Sequence, residues 1–188
     1  LGFLLIAIVS FCTFFARTGA LFNLIPTFAE DKLSLSASQI GIGLAMISIV
    51  GLALAYPSGV LVDRVGRKGV IVVSTMVSGV SMATFALAPS FTWFILACAL
   101  WATSSGIASA APSAYAADMA PPGMNAPAMG MYRMLADFGY VAGPLLLGSA
   151  ADLFATETAL YATGALVIAA GLMFAIFAPE SYRAERSP

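Results

Sequence analysis

Charged side chains are scarce in this chain, so their spacing is informative: 188 residues hold 8 Lys and Arg, 9 Asp and Glu, and no histidine. In "GMYRMLADFGYVAGPLLLG", Arg133 and Asp137 stand one helical turn apart and can pair on a single face. Such a pair has two uses. Asp137 can carry a proton or hold a cationic solute, with Arg133 tuning it, or the two can form a structural clasp. Arg17, in "FFARTGALFN", has no acid within its own segment. A charge inside a bilayer costs about 2.5–3.5 kcal/mol or more, so it normally faces a polar cavity or a partner. Arg17 is expected in such a cavity, binding an anion or pairing with another part of the protein, unless it snorkels to an interface. Asn23 is a weaker polar candidate on the same segment.

A second group lies in "GVLVDRVGRKGV", where Asp63, Arg64, Arg67 and Lys68 accompany Gly59 and Gly66. Gly59 would let a neighbouring helix approach closely, and Gly66 permits a tight turn. Asp63 can accept hydrogen bonds from basic partners or from a facing helix N-terminus, where the backbone dipole is positive. The basic residues would sit at an anionic membrane surface. A plain topology anchor is the simpler reading of those bases alone.

These groups need a frame. The chain is 61% hydrophobic and 9% charged, with a mean hydropathy of +0.97, whereas soluble domains average about 45–50% apolar and about 25% charged. Six stretches are long and apolar enough to cross a bilayer, which takes about 20 residues. They run near Leu1 to Phe28, Ser38 to Leu61, Lys68 to Ala88, Phe91 to Ala117, Pro127 to Ala151 and Thr156 to Ala178. The fold expected is all-α: a bundle over residues 1–178, then a tail over residues 179–188. The short joins "AEDKLSLSA", "VDRVGRK", "PS", "DMAPPGMNA" and "DLFAT" make consecutive spans antiparallel neighbours. Basic residues favour the cytoplasmic side. Arg64, Arg67, Lys68, Arg133, Arg183 and Arg186 fall there together if the even-numbered spans return to the cytoplasm, leaving Lys32 on the other side. Both described ends are then cytoplasmic, at the cell's inner membrane. Trp93 would mark an interface, and Trp101 would pack deep.

Several classes of function are set aside. A net charge of -1 offers no basic patch for nucleic acid. Cys12 and Cys98 lie in apolar runs and read as small hydrophobes. No nucleophile–base pair, G-x-S-x-G elbow or clustered ligand set is present, so neither an enzyme nor a metal or other cofactor is expected. Ser104 and Ser105 read as small packing residues.

The chain also echoes itself. "YPSGVLVD" ends the second span with Pro57, Gly59 and Asp63, and "GPLLLGSAAD" ends the fifth with Pro144, Gly148 and Asp152. In each, a Pro precedes a Gly that is followed four residues later by an Asp. Two three-span repeats, about residues 1–88 and 91–178, would be inverted relative to each other, a construction common in secondary transporters.

Gly59, Asp63, Arg64, Gly66, Arg67 and Lys68 match G-x-x-x-D-R-x-G-R-K throughout, between a second and a third span. This resembles the signature loop of the major facilitator superfamily. Gly130, Gly139, Gly143 and Pro144 fit G-x8-G-x3-G-P, similar to a glycine-rich motif of that superfamily's antiporters, although its closing Gly-Gly stands here as Leu147 and Gly148. The resemblance implies six helices of a twelve-helix fold and secondary transport of a small solute by alternating access, with proton-coupled efflux as the subtype. The 59–68 loop would be a latch between halves, made in one access state and broken in the other. Spans 1, 4 and 5 would line part of the solute cavity.

Ala102 and Ser105 stand before Gly106 where an N-terminal half commonly has Arg and Gln. With the start at Leu1, this points to the C-terminal half of something longer, although "PESYRAERSP" could also open a central loop. Expected partners are the solute, protons, the bilayer, and either the other six-helix half or a second copy. The alternative is a non-transporting membrane module that docks a partner through the Gly139–Gly143 face.

Overall fold

The computed structural model describes residues 1–181; the expected tail basics Arg183 and Arg186 lie outside the described residues. Six helices are long and apolar enough to span a membrane: α1 (Gly2–Leu33), α2 (Ala37–Val65), α3 (Arg67–Ala86), α4 (Phe91–Asp118), α5 (Asn125–Leu153) and α6 (Thr156–Phe177). Helices suit this environment because each backbone polar group finds its partner within the segment.

The ends differ from those expected, for local reasons. α1 continues past Phe28 to Leu33, and Ser34 stops it in the left-handed region at φ 53. Ser36 then caps α2 by a reciprocal exchange with Gln39: the Ser36 hydroxyl accepts from the Gln39 backbone N–H, and the Gln39 carbonyl oxygen accepts from that of Ser36. The anticipated turn "VDRVGRK" shrinks to one residue. α2 runs to Val65, α3 starts at Arg67, and Gly66 joins them at φ 92, where a side chain is disfavoured. Asp63 and Arg64 therefore belong to the last turn of α2, and Arg67 and Lys68 to the first turn of α3. α4 breaks after Ile107 and resumes at Ala111. Pro112 accounts for the break, because it lacks the N–H that would bond the Ala108 carbonyl and its ring crowds that carbonyl.

α1 packs along α5, α2 along α4, and α3 along α6, while α3 also touches α4 and α6 touches α1. Exchanging the first three helices for the last three leaves this set of pairs unchanged. Small residues make the seams. A Cβ on Gly79 would lie 2.8 Å from the Gly164 carbonyl oxygen, and one on Gly164 would lie 2.7 Å from that of Gly79, so α3 and α6 meet backbone to backbone. Hydroxyls pair across other contacts: Ser78 with Ser104 at 2.8 Å, Ser58 with Ser109 at 2.9 Å, and Ser10 with Tyr132 at 2.8 Å. Ser104 is thus a bonded residue of the α3–α4 contact rather than mere filler.

α2 and α5 are the least covered helices. Of their most apolar stretches only 17% and 22% is buried, against 61% for α1. Met134, Phe138, Val141 and Leu145 form an uncovered row on α5, and Ile42, Ile49, Leu52 and Tyr56 are exposed on α2.

Candidate functional site

The middle of α1 is wound as a π-helix, Ala16–Leu24, which contains both Arg17 and Asn23. Such wide turns are rare and recur at functional sites. Its neighbour is the glycine row of α5. A Cβ on Gly19 would come within 2.5 Å of the Gly143 backbone, one on Gly143 within 2.6 Å of the Phe15 carbonyl oxygen, and one on Gly139 within 2.5 Å of that of Phe11. The Gly139–Gly143 face is therefore covered by α1. Docking of an outside partner through it, the alternative stated above, is excluded by that contact. Gly130 and Gly59 differ from the rest: a Cβ on either would meet nothing within 4 Å. The close approach expected at Gly59 is not made by any helix described here.

Beside the π segment lies a cavity of about 220 Å³. α1 contributes Ser10, Thr13 and Arg17; α3 contributes Ser74, Thr75 and Ser78; α4 contributes Trp101, Ser105, Ser109 and Ser113; α5 contributes Tyr132 and Arg133. Spans 1, 4 and 5 were expected to line part of it, and the α3 hydroxyls are an addition. Its ionisable lining, tyrosine apart, is Arg17 and Arg133.

The two arginines are held differently. Arg133 donates from Nε to Asp137 Oδ2 at 2.7 Å, the pairing that their spacing predicts, and its guanidinium stands 5.6 Å above the Phe14 ring. The other Asp137 oxygen, Oδ1, is buried and has no hydrogen-bond partner among the described residues. Asp137 itself is not among the residues lining the cavity. Arg17 has no carboxylate partner among the described residues. Its guanidinium lies 5.8 Å above the Phe22 ring, five residues on, a pairing that the i to i+5 winding favours. Asn23 is exposed and sits away from the cavity, its amide nitrogen 4.0 Å from a Cβ built on Gly148 of α5. The sequence grouped four pathway candidates; the structure gathers Arg17 and Arg133 on one cavity, pairs Asp137 with Arg133 and leaves Asn23 apart.

The charged rim around Gly66 also divides. Arg67 forms an ion pair with Asp118 at the end of α4, and its Nη1 donates to the Ala114 carbonyl oxygen at 3.0 Å. Glu180, just past α6, accepts from the Lys68 backbone N–H at 3.3 Å, placing a carboxylate at the positive start of α3. A Cβ on Gly66 would sit 3.1 Å from Glu180 Oε2, so a side chain there would crowd that carboxylate as well as strain φ. The Tyr115 hydroxyl donates to the Pro179 carbonyl oxygen at 2.6 Å, tying the α6 exit to α4. Asp63 and Arg64 are exposed, and neither has an ion pair or hydrogen bond among the described residues. At the opposite end Lys32 reaches Glu157 at 3.0 Å.

Asp118 and Glu180 were not singled out from the sequence. Antiparallel threading brings the end of α4 to the same rim as the α2–α3 turn, so an acid there is a natural partner for Arg67. That topological signal was available for Asp118. Cys12 and Cys98 are both buried, Trp93 is half exposed, and Trp101 is buried in the cavity wall.

Comparison with known proteins agrees with this architecture. The family described as the Major Facilitator Superfamily matches residues 6–188. The quinolone resistance protein NorA of Staphylococcus aureus is 25% identical over 159 residues, 85% of this chain and 40% of NorA. The multi-drug resistance efflux pump PmrA of Streptococcus pneumoniae serotype 4 is 27% identical over 174 residues, 88% of this chain and 43% of PmrA. The chain therefore spans about two fifths of the length of these curated relatives.

Proposed function

Because the chain belongs to the major facilitator superfamily, an integral membrane family of transporters rather than enzymes, we propose that it is one six-helix half of a secondary transporter moving a small solute by alternating access. The observation that carries this reading is the polar cavity at mid-bundle, with an arginine at the midpoint of α1, inside an otherwise apolar frame. Polar and charged lining is costly in lipid, and a pathway explains its retention. The little-covered α2 and α5 faces are where a complementary six-helix unit would seat. Asp63 and Arg64, on the rim, are the groups available to latch onto it, whereas Arg67 acts within its own unit. The symmetric helix pairing supports two inverted repeats. Ala102 and Ser105 favour the C-terminal half, with the missing partner the other half rather than a second copy. The clustered bases support a cytoplasmic position for the Gly66 rim.

Proton coupling is assigned to Asp137. Its buried, unpartnered Oδ1 can take a proton without breaking a hydrogen bond, while Oδ2 senses Arg133. NorA and PmrA, by their names, act in drug resistance and efflux, and outward transport is the direction chosen here. The test is solute flux in proteoliposomes of the complete gene product under an imposed pH gradient. Flux should follow the gradient and lose that response in Asp137→Asn. Flux indifferent to the gradient would remove proton coupling, and no flux of any solute would remove transport.

A further inference from the structure

We propose that the cavity binds a small organic oxyanion, held at Arg17, whose body also carries hydrogen-bond donors. This rests on the transport reading for its purpose but not for its chemistry. Arg17 occupies the midpoint of α1, roughly 22 Å along the axis from Gly2 at 1.5 Å per residue, so neither end of the helix is within easy reach of its side chain. It is exposed on the cavity side, and its cationic neighbour Arg133 is already neutralised by Asp137. Phe22 covers one face of the Arg17 guanidinium, but a cation–π contact leaves the in-plane N–H donors unspent. A planar fork of donors facing a cavity is matched by a carboxylate or a similar oxyanion, which can take two parallel bonds. A cationic solute would instead meet a positive wall with no carboxylate facing it.

The hydroxyls select the rest of the molecule. Thr13 donates to the Val9 carbonyl oxygen at 2.8 Å, Ser105 to that of Ala102 at 3.3 Å, and Ser113 to that of Ala110 at 3.1 Å. Each spends its hydrogen on its own helix, which leaves its oxygen free to accept. These are acceptors, and they suit N–H or O–H groups on the solute. Trp101, Tyr132 and Phe14 supply flat apolar wall beside them. The solute class is thus an acid with a partly aromatic body that also carries hydrogen-bond donors.

Binding of three related probes to the purified complete gene product tests this by calorimetry: 4-aminobenzoate, its neutral amide 4-aminobenzamide, and benzoate, which lacks the donor. 4-Aminobenzoate should bind about tenfold or more tightly than 4-aminobenzamide, the size of one charge-assisted contact. It should also bind measurably more tightly than benzoate. Arg17→Gln should erase the preference for acid over amide, and Arg17→Lys should keep part of it, with monodispersity and helical circular dichroism confirming that both variants fold. Equal binding of acid and amide, no binding of any probe, or a preference that survives Arg17→Gln overturns the oxyanion site, and benzoate binding as tightly as 4-aminobenzoate overturns the donor requirement. Vesicle efflux of ethidium, a cation, and of 4-aminobenzoate, each measured on its own, separates the two readings. If ethidium moves but no acid binds, transport stands and this site falls. If the acid binds through Arg17 but nothing moves, the site stands and transport falls.

Discussion

Arg67 at the rim and Arg17 in the cavity are the same residue in opposite circumstances. Arg67 has a carboxylate and a backbone carbonyl around it, both from α4 of its own bundle, and its work is to hold α3 to α4. Arg17 has only an aromatic ring from its own helix, and its donors face open space. The difference teaches that membership of a motif does not decide availability: Arg67 of the signature loop is held within its own bundle, whereas Arg17, outside any motif, has no carboxylate beside it among the described residues.

The α1–α5 seam should be the most sensitive element, since it is made by main chain against main chain. Gly143→Leu must push α1 off α5 and should abolish the folded, monodisperse protein, whereas Gly130→Leu, with open space around it, should purify normally. Size-exclusion chromatography decides it, and equal behaviour of the two variants would show that the seam yields. Next in size, Arg17→Gln should lower flux of an acidic solute about tenfold or more while leaving the thermal midpoint unchanged or raised, because an unpaired charge is removed. A midpoint that falls as it does for rim variants would break the comparison. Arg67→Gln and Asp118→Asn should each lower the midpoint by an amount equivalent to about 1–3 kcal/mol, between the exposed and buried limits for ion pairs. Their double variant should cost less than the sum, the mark of direct coupling. The smallest effect is expected of Thr13→Val, which keeps volume but removes one acceptor. It should weaken 4-aminobenzoate by only a few-fold and leave benzoate unchanged.

The spans were legible because a bilayer demands long apolar runs, and five of the six were bounded to within about four residues. α1 was cut short at Phe28 because Glu30, Asp31 and Lys32 look like a loop, although they lie beyond the apolar zone on a helix that simply continues. The π winding was invisible to hydropathy. It accompanies the Gly19–Gly143 contact, which joins residues far apart in the chain. Arg133 and Asp137 were readable as a pair because their partnership is local, one turn apart. Arg67 with Asp118 was not, since that contact exists only after α2, α3 and α4 have been threaded side by side. Arg17 was flagged by the converse signal, a costly charge with nothing nearby to match it.

Gly66 carries one last implication. A joint of a single residue offers two soft torsions and no spare length, so α2 and α3 are barred from sliding lengthwise past each other. They can only swing, like two doors hung on one pin. Any pull that an outside body exerts on the end of α2 arrives at α3 as torque rather than as stretch, and an inserted residue at the pin would let that torque go slack.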